Sequence, residues 1–74
     1  MAEKPYPMIG RKGFEYYTNG AVEGAGFFGV FEIWKDDEKV HEGKTDETFD
    51  GFTNATNAAD LVAIEWIDSQ VGGD

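Results

Sequence analysis

The rhythm of hydrophobic and polar positions changes along this chain, and the changes mark its elements. Residues 1–12 show no period; two prolines and a glycine interrupt them, with Met8-Ile9 as an apolar pair. They read as an N-terminal tail. Phe14-Glu15-Tyr16-Tyr17-Thr18 is a short β-prone run, and Asn19-Gly20 after it is a strong turn signal. Residues 19–26 hold three glycines and are expected to form a mobile loop. The strongest strand follows, Phe27 to Trp34, ended by the charged hairpin connection Lys35-Asp36-Asp37-Glu38-Lys39. A third strand runs from about Lys39 to Thr45, polar and short, with Val40 its only large apolar residue. Residues 46–53 form an acidic connection pinned by Phe49 and Phe52.

The last element is a helix. Thr53 or Asn54 can cap it, since either side-chain oxygen can accept from a first-turn amide. From Ala55 to Gln70 there is no Gly or Pro, and Gly72-Gly73 follow. Such a helix is ~24 Å long. At 100° per residue Ala55, Ala59, Val62, Ala63, Trp66 and Ile67 share one face. The small residues at 55, 58, 59 and 63 allow close approach to a sheet. The pattern predicts an α+β fold: a three-stranded antiparallel sheet followed by one C-terminal helix packed on one face. Residues 1–12 are assigned to the tail, 13–71 to a single β-β-β-α domain and 72–74 to a disordered C-terminus.

That arrangement leaves apolar surface over. In the central strand Phe28, Val30 and Trp34 point one way, and Phe27, Phe31 and Ile33 the other. One helix covers one face. Leu61 and Ile64 also lie off the helical stripe. Either the tail, with Tyr6, Met8 and Ile9, folds over the second face, or that face is an interface with a second copy or another protein. The interface would use Phe27, Phe31, Ile33, Leu61 and Ile64, with Trp34 and Trp66 as core or interface anchors. A small-molecule pocket is the third reading.

Composition sharpens this picture. The chain has 74 residues, a formal charge of −9 and no cysteine. A domain of this size buries only ~60% of its unfolded surface, and no disulfide or cysteine-based metal site can staple it. Eleven aromatic residues favour an aromatic core and permit self-association. A multidomain enzyme, a nucleotide-binding α/β domain, a secreted disulfide scaffold and a membrane span are all excluded. The start of the chain carries no apolar run, so the expected setting is the cytoplasm.

Phosphate contacts need Lys and Arg, and three of the six basic residues fall in the first twelve positions. The charge therefore argues against nucleic-acid binding. Asp36, Asp37, Glu38, Glu42, Asp46, Glu47 and Asp50 form an acidic stretch whose ordinary role is solubility. Its sharper role would be that of a decoy imitating nucleic acid on a basic protein.

No motif adds chemistry. Gly24-Ala25-Gly26-Phe27-Phe28-Gly29 fits the letters of a dinucleotide fingerprint, yet a turn precedes it and a strand follows. Asp46 to Asn57 partly imitates a calcium loop but lacks the closing glutamate. A frame from Asp36 ends at Glu47 but puts His41 where glycine belongs. His41 is the only histidine, so neither a histidine metal cage nor a histidine-centred triad can assemble in one chain. No catalytic residue, cofactor or metal is expected, and the chain reads as a non-enzyme.

Arg11-Lys12-Gly13-Phe14-Glu15, the glycine-rich passage into the central strand, Thr48-Phe49 and the closing Ile67-Asp68-Ser69-Gln70 together resemble the short HlyU-type bacterial proteins and related small β-β-β-α domains. The resemblance covers about residues 11–70. It implies a small bacterial cytoplasmic domain, with a transcription-linked regulator among the roles of its relatives. The helix here lacks the basic residues those helices often carry, so no functional residue is carried over.

Overall fold

The structure, a computed structural model, describes Pro5 and residues 7–71. Four strands and one helix follow in order: β1 (Ile9–Arg11), β2 (Phe14–Glu23), β3 (Gly26–Lys35), β4 (Glu38–Lys44) and α1 (Phe52–Val71). The strands form one antiparallel sheet in the order β1-β2-β3-β4. The expected α+β architecture with a C-terminal helix is present, but the sheet has four strands and not three. The assigned C-terminus, 72–74, and Tyr6 lie outside the described residues.

Each pair of neighbouring strands is joined by a two-residue turn, and these turns explain the extra strand. Lys12 and Gly13 have φ of 53° and 87°, and Asp36 and Asp37 have 54° and 67°. Two successive left-handed residues make the turn whose twist matches the strands it joins. Gly24, at φ 60°, opens the β2–β3 turn. Lys12-Gly13 thus folds residues 9–11, part of the expected tail, back onto β2, with Arg11 opposite Phe14 and Ile9 opposite Tyr16.

Asn19-Gly20 is not a turn. Both residues lie inside β2, where Gly20 pairs with Gly29 of β3. The expected loop over 19–26 shrinks to Gly24-Ala25. Gly20 is there for space: a Cβ would stand 2.9 Å from the Phe52 ring. Its N–H points away from β3 and donates to its neighbour's Asn19 Oδ1 at 2.8 Å. That bond satisfies one donor on an edge that the three-residue β1 is too short to cover.

The helix lies across the face bearing Phe14, Tyr16, Phe31 and Ile33, with Ala59, Ala63 and Ile67 completing the core and Ile64 and Trp66 at its flank. Its buried residues, Ala55, Ala59, Ala63 and Ile67, recur every fourth position, as the periodicity predicts. Val62, placed on the same stripe by the helical wheel, is instead 38% exposed. The tightest approach is at Gly29. A Cβ there would overlap the Ala55 carbonyl oxygen and stand 2.8 Å from Ala59 Cβ.

The helix begins at Phe52, earlier than the expected cap at Thr53 or Asn54. The Ala55 N–H donates to the Gly51 carbonyl at 3.1 Å, so both proposed caps lie within the first turn. Ahead of it, the connection keeps pairing with β3 after β4 ends. Thr45 N–H donates to the Gly29 carbonyl at 2.8 Å. Gly29 N–H donates to Thr45 Oγ1 at 3.0 Å, and that hydroxyl donates to the Glu47 carbonyl at 3.0 Å. Phe27 and Phe49 exchange both backbone hydrogen bonds, at 2.9 and 2.7 Å. Phe49 therefore pins the connection through its backbone. No helix among the described residues is long and apolar enough to cross a membrane.

Candidate functional site

One helix covers one face, so the opposite face of the sheet is the place to look for function. Alternation and register put Tyr17, Asn19 and Ala21 of β2, Phe28, Val30, Glu32 and Trp34 of β3, and Glu42 and Lys44 of β4 on that outer face. Trp34 is 2% exposed, and its indole N–H donates to Glu32 Oε1 at 3.0 Å. Tyr17, Phe28, Val30 and Glu32 are half-buried. A shallow hollow of about 350 Å³ opens among Tyr17, Val30, Glu32, Glu42 and Lys44.

The polar groups of this hollow are poorly balanced. Glu32 and Glu42 stand directly opposite each other across β3 and β4, and like charges so placed repel. Glu42 Oε1 accepts from Lys39 Nζ at 2.9 Å. Lys44 is directed elsewhere, with Nζ 5.2 Å from the centre of the Phe28 ring. Charge is nonetheless thin on this face. By register it carries Glu15, Glu23, Glu32 and Glu42 against Lys39 and Lys44, a net of −2 in a chain of −9.

The structure places the five apolar residues expected at an interface in different settings. Phe31 is 4% exposed and Ile33 fully buried, both beneath the helix. They are core residues and offer nothing to a partner. The alternation separates the two faces of β3 correctly. The helix, however, chooses the side bearing Gly29, because only there can its alanines come close, and it leaves the Phe28–Val30 side open. Phe27 is half-buried, edge-on to Phe52 with ring centres 6.2 Å apart. Ile64 packs against the core, and Leu61 is 64% exposed on the helix. Ile9, a candidate for covering the second face, stands opposite Tyr16 and so on the helix side.

The acidic stretch divides. Asp36, Asp37 and Glu38 lie at one end of β4, while Asp46, Glu47 and Asp50 lie in the connection beyond its other end. Seven strand residues separate the groups by ~23 Å, with Glu42 between them on the outer face. All seven acids are exposed. Among the described residues no group of three or more His, Cys, Asp or Glu could hold a metal ion. The calcium-loop imitation runs into α1 from Phe52 onward and so forms no loop.

His41 faces the helix. Its ring stacks on Trp66 with centres 4.6 Å apart and planes 7° from parallel, and stands 5.8 Å from Phe31. Burial, with a smaller contribution from Asp60, pushes the nearby Tyr16 phenol above its ordinary value. At the far end of the helix Arg11 Nε and Nη2 donate to the two Asp68 carboxylate oxygens at 3.0 and 2.9 Å, and Lys12 Nζ lies 3.2 Å from the same group. The Arg11 hydrogen bonds hold the Asp68 carboxyl below its ordinary value.

A second hollow, about 320 Å³, lies between the connection and the helix, among Thr45, Glu47, Phe49, Ala58 and Val62. Tyr17, Glu32 and Lys44 were not singled out from the sequence. The signal for them is their parity with Phe28 and Val30, read across strands once the register is known. No family model, curated protein or solved structure matches this chain.

Proposed function

We propose that this chain is a cytoplasmic, non-enzymatic interaction module that self-associates through the outer face of its sheet. The observation that supports this reading is the half-buried row Tyr17–Phe28–Val30, turned away from the helix, apolar and close to charge balance in a strongly acidic molecule. Two such faces meet with a net of only −2 on each. Two ten-residue strands and the seven-residue β4 present a face of at most roughly 33 by 14 Å. That is modest against the ~800 Å² per partner of a standard interface, so micromolar association is expected.

Sedimentation equilibrium across the micromolar range tests the reading. The parent should shift toward a dimer, and Val30→Asp should remain monomeric while keeping its far-ultraviolet spectrum. A parent that stays monomeric at every concentration would defeat the proposal. Nucleic-acid imitation by the acidic stretch draws less support, because β4 holds its two halves apart. The HlyU-type resemblance adds no residue to either reading.

A further inference from the structure

The outer face also carries the means to fix how two copies would meet. We propose that Lys44 of each copy seats between Glu32 and Glu42 of the other, an inference that rests on self-association through this face. Glu32 and Glu42 are opposed across the strands, and among the described residues Glu32 accepts from the Trp34 indole and Glu42 from Lys39. A further cation between them relieves the repulsion of the pair. Within this face Lys39 is already committed to Glu42. Lys44 has no carboxylate partner among the described residues and meets only the Phe28 ring.

Lys44 and Glu42 lie two residues apart on the same side of β4, ~7 Å along the strand. Consider a two-fold axis that crosses β4 at Gly43, between the two sheets and perpendicular to the strands. It sets residue 44 of one copy over residue 42 of the other, and the same rotation makes the reciprocal contact. One operation therefore satisfies both hollows, as an isologous interface requires. It also stacks β3 on β3, with Phe28 of one copy over Trp34 of the other and Val30 over Glu32.

A charge-swap experiment reads this directly. Lys44→Glu and Glu42→Lys, each alone, should weaken self-association by roughly tenfold or more, because every two-fold contact then sets like charges together. Mixed in equal amounts, the two variants should associate about as tightly as the parent, since both contacts are restored in the mixed pair. Both positions are exposed, and a circular dichroism spectrum matching the parent's checks the fold of each variant. If the single variants associate like the parent, or the mixture is no tighter than either alone, the seating of Lys44 is wrong while self-association stands. A monomeric parent overturns both.

Discussion

At Gly29 the backbone of the central strand carries the helix almost directly. The opposite residue, Gly20, leaves room for the Phe52 ring in the same way, so the two form a shallow trough across β2 and β3. Gly29→Ala puts a methyl group into the Ala55 carbonyl and against Ala59. Backbone cannot swing aside as a side-chain tip can, so the helix must lift. Overpacking of this kind costs about 3 kcal/mol, read as a lower urea midpoint with an unchanged slope. A midpoint within error of the parent would show that the helix is not seated on Gly29. In the sequence this glycine stands out only as the last letter of a rejected dinucleotide fingerprint. Its role appears when Ala55 and Ala59, placed on the helix face by their period, are set against it. Gly20 misled more, because Asn-Gly is a strong turn signal and nothing local says that Phe52 needs the space.

Among the elements, β1 was the hardest to read and is the most dependent on a single tie. Three residues cannot hold a strand on the sheet by themselves, and Arg11 and Lys12 anchor it to the last turn of α1 through Asp68. That turn has no basic residue of its own. The folded Asp68 carboxyl lies below its ordinary 3.8, so its contribution to stability is present above about pH 4 and is lost as pH falls through the lowered folded value. Asp68→Asn should therefore be less stable than the parent at neutral pH, and the difference should close as the acid titrates. Urea unfolding of both proteins between pH 2 and 7 measures it; a gap independent of pH would assign Asp68 a purely steric role. The helix and the central strand were legible because each is long and strongly patterned. β1 was not, because Lys12-Gly13 is a weak turn signal and the prolines before it suggest a tail.

For the whole molecule, the proposed self-association has two surfaces of the sheet open to it, the outer face and the β4 edge. Hydrogen-bond alternation points the N–H groups of Glu42 and Lys44 outward from the β4 edge, since Thr45 and Gly29 form a bonded pair. An edge-to-edge dimer would bury those amides; a face-to-face dimer would not. Hydrogen exchange at low and high protein concentration should leave both amides unchanged while slowing Tyr17 and Val30, whose N–H groups lie within the sheet. Protection appearing at Glu42 and Lys44 would point to strand addition in place of face stacking. The charged side chains of Lys39, Glu42 and Lys44 and the bulge near Val40 are the features that commonly discourage strand addition. That a second apolar face exists was plain from the alternation in β3. Which face stays open was not, because it depends on where the backbone is thin enough to admit a helix.

The two-residue turns also set an order of events. Every strand pairs with its neighbour in sequence, so each hairpin can close in microseconds once its own residues are present. The helix that shields Phe31 and Ile33 comes after all four strands. During synthesis the sheet can therefore zip up while its greasiest surface still faces water, and it stays so until residues 52–71 have emerged. For that interval the nascent sheet has two sticky sides. The protein's greatest exposure to misassembly then falls before its last element is made, a hazard set by the sequence order of its parts and not by the stability of the finished fold.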